Sequence, residues 1–290
     1  MKRTSSGRQN VPIKALLYGD SGTGKTTFAS HSPGALILDL EHGSSHLDVD
    51  RCEVDTFDEV LEVVRDTKKG TLVIDSLTEL ERMCVHKVLG PNRKPNDQLA
   101  TFGKGFGQGN ELMLEYWREF LSAVERCPAN VIMIAHSAVK SINDPTGMSY
   151  DRWQLHLNEK ISNATQRMAD YILFARFAHE TRQTERKSVG ITGERVLETD
   201  ANAAWIAKHR GNIPNQLPLS WDAFAAAVET DRGRVDAMRS TIAALIAQVT
   251  DYELQVRMSQ ALADAGDSDT KLAAVERRVQ ARIDSNVKEN

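Results

Sequence analysis

A glycine-rich octapeptide near the start of the chain leaves few choices of fold. Residues 19–26 read GDSGTGKT and lie between the apolar run Ala15–Tyr18 and the helical stretch Thr27–Ser30. Glycines at this spacing let the backbone curl so that successive N–H groups point inward at an anion, and the start of the helix adds partial positive charge. Because a strand, a loop and a helix follow one another here, the run predicts an α/β fold with a bound triphosphate.

Each side chain of this phosphate loop has a predicted role. Lys25 is expected to bridge the β- and γ-phosphates, and the Thr26 hydroxyl to ligate Mg²⁺. The predicted ligands are therefore ATP and Mg²⁺, although the loop alone does not indicate which reaction follows. The predicted nucleotide-binding residues are Gly19, Asp20, Ser21, Gly22, Thr23, Gly24, Lys25, Thr26 and Thr27.

Short apolar runs alternate with helical stretches along most of the chain, the pattern of a βαβ architecture. Phe57–Arg65 reads as a helix, because Thr56 and Glu59 have capping-box spacing and Gly70 follows as a stop. Such strands suit a buried parallel sheet, so we predict a mainly parallel twisted sheet flanked by helices. The predicted strands are Ala15–Tyr18, Ala35–Asp39, Thr71–Asp75, Val131–Ala135 and Tyr171–Ala175, with Arg195–Glu198 and Ala204–Ala207 near one edge.

The C-terminal part of the chain reads as two or three amphipathic helices. Apolar residues recur on one helical face in 238–249 and again in 272–283. The stretch Asp231–Arg234 is expected to break the helix that opens near Ser220. We therefore predict a basic flexible tail at 1–10, an α/β core at 11–230 and a helical region at 231–290. That region either packs on the core or docks a partner.

The charge balance limits how the chain can contact nucleic acid. Its 290 residues include 36 Lys and Arg against 40 Asp and Glu, a formal net charge of −4. A basic coat for duplex DNA is excluded, so any contact must come from local patches. The three cysteines are scattered without metal-ligand spacing, and no apolar run approaches the length of a membrane span. We expect reduced thiols, no membrane association and a cytoplasmic location.

Two apolar runs end in acidic residues that suit phosphate chemistry. Residues 71–75, TLVID, have the form of a strand whose last residue, Asp75, holds Mg²⁺. Residues 35–42, ALILDLEH, place Glu41 just beyond the end of another strand. Since ligands bind at the carboxyl ends of parallel strands, both acids are predicted to lie beside the phosphate loop. Glu41 is then a candidate to orient or deprotonate water, and a solvated turn acid is the alternative.

The order of phosphate loop, LILDLEH and LVIDSLTEL resembles the RecA-type recombinase ATPase core, over roughly residues 11–228. In that family the glutamate activates water and the aspartate handles the metal, which implies these roles for Glu41 and Asp75. The next strand of the family usually ends in a Gln that senses the γ-phosphate, whereas VIMIAH here ends in His136. With His at this position, the sequence resembles a phage group, the Sak-type single-strand annealing ATPases.

That group also carries K-x-R after a late strand, which Lys208-His209-Arg210 matches. In RecA-like filaments such cations reach the γ-phosphate of the neighbouring subunit, as arginine fingers do. The resemblance therefore implies a homo-oligomer, either ring or filament, with Lys208 and Arg210 acting in trans. For the residues taken alone, a polar strand cap at His136 and solvated charges at the two cations are the alternatives.

Two segments are candidates for contact with single-stranded DNA. Residues 90–110 combine cations and aromatic residues in a glycine-rich stretch, which suits phosphates that pair with cations and bases that stack. By resemblance this is the first DNA-facing loop, and Ser137–Lys160, with Trp153, is the second. An active-site lid or a plain surface loop is the alternative. The predicted DNA-binding residues are Arg93, Lys94, Phe102, Lys104, Phe106 and Lys140.

Together these motifs predict an ATPase that binds single-stranded DNA and promotes annealing or recombination. The resemblance implies a phage-encoded protein in the bacterial cytoplasm, with a single-stranded-DNA-binding protein as a candidate further partner. Two other functions fit the phosphate loop, a small-molecule kinase and a nucleotide-gated scaffold that acts through the helical tail. A GTPase is disfavoured, because no N-K-x-D motif follows the loop.

Overall fold

The computed structural model describes residues 11–91, 105–145, 147–183, 188–249, 251–266 and 268–289. They form two compact units. The larger unit comprises Pro12–Arg210 and Pro214–Phe224, and the smaller unit is built mainly from the segment that begins at Ala225. No helix within the described ranges is long and apolar enough to cross a membrane.

Strands and helices alternate through the larger unit. They are β1 (Lys14–Gly19), α1 (Lys25–Ser30), β2 (Ala35–Asp39), β3 (Asp50–Cys52), α2 (Phe57–Asp66), β4 (Thr71–Asp75), α3 (Leu77–Leu89), α4 (Gly105–Arg126), β5 (Asn130–Ile142), β6 (Tyr150–Leu155), α5 (Glu159–Met168), β7 (Tyr171–Gln183), β8 (Ser188–Glu198) and β9 (Gln216–Pro218). Helix α2 begins at the predicted capping box, in which Thr56 accepts from the Glu59 backbone N–H and the Glu59 carboxylate accepts in return.

The strands form one mixed sheet in the order β3-β2-β4-β5-β1-β7-β8-β9, with β6 paired to the outer half of β5. Neighbours from β3 to β7 are parallel, and β8 and β9 are antiparallel. The predicted mainly parallel sheet is therefore confirmed. The register places Gly19 level with His136 on β5 and Ala175 on β7, and Asp39 level with Asp75. The predicted catalytic and phosphate-binding residues consequently meet at the carboxyl ends of the parallel strands.

Apolar side chains bury both faces of this sheet. On one face a continuous core joins the strands to α2, α3, α4 and α5, and at its centre Trp117 is fully buried and donates its Nε1–H to Thr165 Oγ1 at 2.9 Å. Elsewhere an aromatic cluster joins α1 to the sheet, with Phe28 and Tyr171 packed against Phe224, and Trp221 against Phe28. The core fixes the strands whose ends carry the site.

One predicted strand is wrong. Ala204–Ala207 forms no strand; Trp205 and the following Lys208 instead make isolated bridges to Trp153 and Ile172. The reason lies in Tyr18, whose hydroxyl donates to the Ile206 carbonyl at 2.7 Å and accepts from the Ile206 N–H at 3.1 Å. A side chain thus satisfies the backbone groups that a neighbouring strand would otherwise pair.

In the C-terminal segment the helices are α6 (Trp221–Ala247), α7 (Tyr252–Ala265) and α8 (Asp269–Glu289). The predicted break at residues 231–234 is wrong, because α6 runs through it. Gly233 costs a helix only about 1 kcal/mol, and Arg234 pairs with Asp231 one turn away at 2.8 Å. Asp231 is buried and also accepts from the Asn212 N–H at 3.0 Å. The helices of the smaller unit share a core of Val235, Ile242, Ile246, Val249, Leu272, Val275 and Val279.

Candidate active site

The phosphate loop connects β1, in the middle of the sheet, to α1. A β-carbon on Gly19 would lie 2.1 Å from the carbonyl oxygen of Ala175, so β1 and β7 approach closely only with glycine there. Gly24 precedes α1 with φ of 100°, a left-handed conformation that favours glycine. Inside the loop, Thr23 Oγ1 donates to the Asp20 carbonyl at 2.9 Å. These contacts hold the curled backbone that the sequence motif predicts.

Lys25 lies inside the loop and is only 7% exposed. Its Nζ donates to the carbonyl oxygens of Gly19 and Asp20 at 2.9 and 2.8 Å. Burial lowers the pKa of Lys25, and the nearby charges of Asp75 and others oppose that shift. The loop therefore holds a desolvated ammonium group where a phosphate would be neutralised.

Thr26 and Asp75 form the metal side of the site. The Thr26 hydroxyl donates to Asp75 Oδ2 at 2.6 Å, which joins the start of α1 to the end of β4. Burial, helped by the charge of Glu41, raises the pKa of Asp75. A half-buried carboxylate beside a hydroxyl fits Mg²⁺, which protein sites hold by one or two side chains together with phosphate oxygens. Among the described residues, no group of three or more His, Cys, Asp or Glu side chains could hold a metal ion.

Glu41, at the turn after β2, is held by two neighbours. Its Oε1 accepts from the Ser76 hydroxyl and lies 2.9 Å from His136 Nε2, and Oε2 lies 3.2 Å from the same nitrogen. The hydrogen bond with His136 is the main cause of a lowered pKa at Glu41 and of a raised pKa at His136. The backbone N–H of His136 donates to Thr78 Oγ1 at 3.3 Å. The predicted base and the predicted sensor are thus directly paired.

Sequence reasoning missed the residues that position Glu41. Asp39 is buried and accepts from the backbone N–H groups of Gly43 and Ser44, both at 2.9 Å, and from the Ser44 hydroxyl at 2.6 Å. The Asp39 carboxylate therefore closes the turn that carries Glu41, and its hydrogen bonds go to that turn. Ser76 is fully buried and also accepts from the Glu79 N–H at the start of α3. In the sequence, the only sign of this support is a short polar residue, Ser76, directly after Asp75.

The pairing of Glu41 with His136 predicts a pH window. Because the pKa of His136 is raised, its contribution to stability is present at low pH and is lost as pH rises through that raised value. Because the pKa of Glu41 is lowered, its contribution is lost only as pH falls through the lowered value. The pair therefore stabilises the fold between these two limits.

The measurement is an NMR titration of the His136 ring in the wild type and in Glu41→Gln. The variant should bring the His136 pKa down toward its ordinary value, because the neutral amide no longer favours the imidazolium. The matched control is Glu53→Gln, which replaces an exposed carboxylate directly after β3 and should leave the titration unchanged. An identical His136 titration in wild type and Glu41→Gln would contradict the pairing.

A family model described as an AAA domain matches residues 11–211. The chain belongs to the AAA domain family. Residues 11–211 are therefore an AAA-type P-loop ATPase domain that binds nucleotide, as the phosphate loop and the order of strands predict. A search of curated proteins found no match.

Within the AAA domain, Lys208 and Arg210 lie away from the phosphate loop of their own chain. Lys208 is bridged to Ile172 near the start of β7, and its Nζ donates to the Gln166 carbonyl at 2.7 Å. Burial, with the charge of Arg210, lowers the pKa of Lys208. Arg210 pairs with Asp170, just before β7, at 3.1 Å. In this arrangement neither cation contacts the phosphate loop of its own chain.

The structure describes only part of the predicted DNA-binding set of the AAA domain. Lys140 lies on β5, and its Nζ donates to the Leu157 carbonyl at 3.2 Å. The second predicted loop is largely a hairpin of β5 and β6, in which Trp153 packs against Phe174 and the core instead of standing free for bases. Arg93, Lys94, Phe102, Lys104 and the side chain of Phe106 lie outside the described residues.

Proposed function

We propose that this AAA domain hydrolyses ATP with Mg²⁺ and couples hydrolysis to binding of single-stranded DNA. The observation that carries the ATPase part is that five side chains meet at the carboxyl ends of the parallel strands. Lys25 and Thr26 come from the loop, Asp75 from β4, Glu41 from the turn after β2 and His136 from β5. They supply phosphate binding, metal binding and a base for water, which is the set that phosphoryl transfer needs.

In the proposed reaction the side chains divide the work. Lys25 and the loop N–H groups bind the phosphates, and Thr26 with Asp75 would hold Mg²⁺, which neutralises phosphate charge when bound. Glu41 orients the attacking water and accepts its proton. While paired with His136, Glu41 has a lowered pKa and is a weaker base. Release of that pair would therefore raise the basicity of Glu41 and start hydrolysis.

The link to DNA is proposed to run through β5. This strand carries His136 at the site and continues without a break into the hairpin, where Ser137 pairs with Leu155. The Ser137 hydroxyl also donates to Asp20 Oδ1 in the phosphate loop. Ser137 therefore contacts both the phosphate loop and the hairpin, so a change at the phosphates can pass to the hairpin through this residue. The hairpin exposes Val139 and, at its tip, Met148, which is 85% exposed.

We further propose that several copies assemble for this reaction, with Lys208 and Arg210 of one subunit completing the site of the next. The support is the resemblance of His136 and the K-x-R segment to Sak-type annealing ATPases, together with the contacts of both cations with residues outside their own phosphate loop. Annealing of single strands, as a phage recombination function, is the biological role that follows.

ATP turnover with and without single-stranded DNA tests the proposal. Strong stimulation of turnover, with tighter DNA binding in a gel shift when ATP and Mg²⁺ are present, is the expected result. Release of ADP only when a small-molecule acceptor is added would indicate a kinase instead. Nucleotide binding without any turnover would indicate a scaffold.

Replacing Phe102, Lys104 and Phe106 together by Ala is expected to weaken binding to single-stranded DNA by about thirtyfold or more, since two stacking rings are lost. The reason is that base stacking contributes about 1–3 kcal/mol per base. Basal ATP hydrolysis should be spared. Fluorescence anisotropy with a labelled oligonucleotide measures the affinity.

The matched control is Tyr252→Ala with Lys271→Ala, which removes an aromatic ring and a cation from exposed positions of the helical segment. This control should bind DNA as the wild type does. Normal DNA affinity in the triple variant would place the DNA site elsewhere.

A further inference from the structure

An arginine outside the predicted site lies directly beside the phosphate loop. Arg195 is on β8, and a β-carbon on Gly24 would lie 3.1 Å from its Nη1 and 3.6 Å from Leu219 Cδ2. The Arg195 carbonyl accepts from the Leu219 N–H at 3.2 Å, which fixes these two residues together. Gly24 is thus flanked by a guanidinium group and an aliphatic side chain.

The guanidinium of Arg195 is available to a ligand. Arg195 is exposed, and its Cζ lies 5.6 Å from the ring centroid of Phe177. Among the described residues, no carboxylate lies within ion-pair distance of it. Arg176 on the adjacent β7 differs, since it pairs with the buried Glu198 at 2.6 Å and lies over Trp205. The two arginines therefore differ in their charge partners, because Arg176 is held by a buried carboxylate and Arg195 is not.

The sheet order indicates which end of a nucleotide Arg195 faces. The metal side and the base for water lie on β4, β5 and the turn after β2, all on one side of β1. Arg195 lies on the other side, beyond β7. A triphosphate whose terminal phosphate meets Asp75 and Glu41 therefore directs its nucleoside toward Arg195 and Leu219.

We infer that Arg195 and Leu219 form a subsite for the nucleoside end of the nucleotide. The planar guanidinium stacks on the face of the base, and Leu219 supplies an apolar edge, a combination that suits a flat heterocycle. This inference rests on the proposed ATP binding and adds to it the residues that contact the nucleoside. It also assigns them to the same subunit as the phosphate loop.

The test compares Arg195→Ala and Arg195→Lys by the affinity of each variant for ATP and for ADP. A lost cation–π contact corresponds to about a threefold to thirtyfold weaker affinity. We expect that loss for both nucleotides and in both variants, because Lys keeps the charge but not the plane. Leu219→Ala should show a smaller loss of the same kind. Arg167→Ala, which removes an exposed arginine on α5, is the control and should bind as the wild type does.

Three results would overturn the inference. Unchanged affinity in Arg195→Ala shows no contact, a loss for ATP alone moves Arg195 to the γ-phosphate, and rescue by Lys indicates a phosphate contact. Failure of the proposed function looks different, because the wild type itself would then not bind ATP. Equal thermal unfolding of the variants and the wild type ensures that affinity and folding are not confused.

Discussion

Lys25→Ala is expected to abolish ATP binding, with affinity reduced by about a hundredfold to ten-thousandfold. Lys25 is the buried cation of the loop, and its Nζ lies among the carbonyl oxygens at the point where the phosphates would sit. A hydrogen bond to a charged group contributes about 1.5–3 kcal/mol, so loss of two such contacts gives this range. Isothermal titration calorimetry with ATP and Mg²⁺ measures the effect.

Lys68→Ala is the matched control for this experiment, since it removes a lysine from an exposed position after α2. It should bind ATP with wild-type affinity. Circular dichroism on Lys25→Ala shows whether the fold persists. We expect that it does, because the two carbonyl groups lie at the carboxyl end of β1 and not within the apolar core. ATP binding of wild-type strength in a folded Lys25→Ala protein would remove the phosphate-loop assignment.

Glu41→Gln is expected to bind ATP normally and to hydrolyse it about a hundredfold to ten-thousandfold more slowly. The range is the usual contribution of a general base. An amide keeps the size of Glu41 and its hydrogen bond with Ser76, but it cannot accept a proton from water. Single-turnover measurement of phosphate release separates this effect from product release, and a filter-binding measurement confirms that ATP is still bound.

Glu53→Gln carries the same substitution on an exposed residue near β3 and should turn over ATP at the wild-type rate. If Glu41→Gln hydrolysed ATP as fast as Glu53→Gln does, Glu41 would not be the base. The two variants together also separate loss of charge at the site from a general change in net charge, because both raise the net charge by one.

Much of the core could be predicted because local patterns dictate it. The phosphate loop requires a strand before it and a helix after it, and Ala35–Asp39 and Thr71–Asp75 begin and end where their apolar runs do. The convergence of Asp75 and Glu41 follows from parallel strands alone. Local chemistry also fixes the start of α2, where Thr56 and Glu59 cap each other.

The rest depends on contacts between distant parts of the chain. Ile206 pairs with the hydroxyl of Tyr18, and nothing near Ile206 in sequence indicates this. The support of Glu41 by Ser76 and the approach of Arg195 to Gly24 likewise join residues far apart in sequence. The segment Ser137–Lys160, which the resemblance predicts to be a loop, is largely the hairpin of β5 and β6. Such features depend on the register of the sheet, which single-sequence patterns do not specify.

The continuous strand β5 has a thermodynamic consequence. From His136 to Ile142 it spans about 20 Å, at roughly 3.3 Å per residue, with one end at the phosphates and the other in the hairpin. Two ligands that share one such element obey reciprocity: if ATP tightens the hold on a ligand of the hairpin by some factor, that ligand tightens the hold on ATP by the same factor. Single-stranded DNA, if it binds at the hairpin as proposed, would then act as an effector of the nucleotide site, and its local concentration would set how much ATP the protein retains.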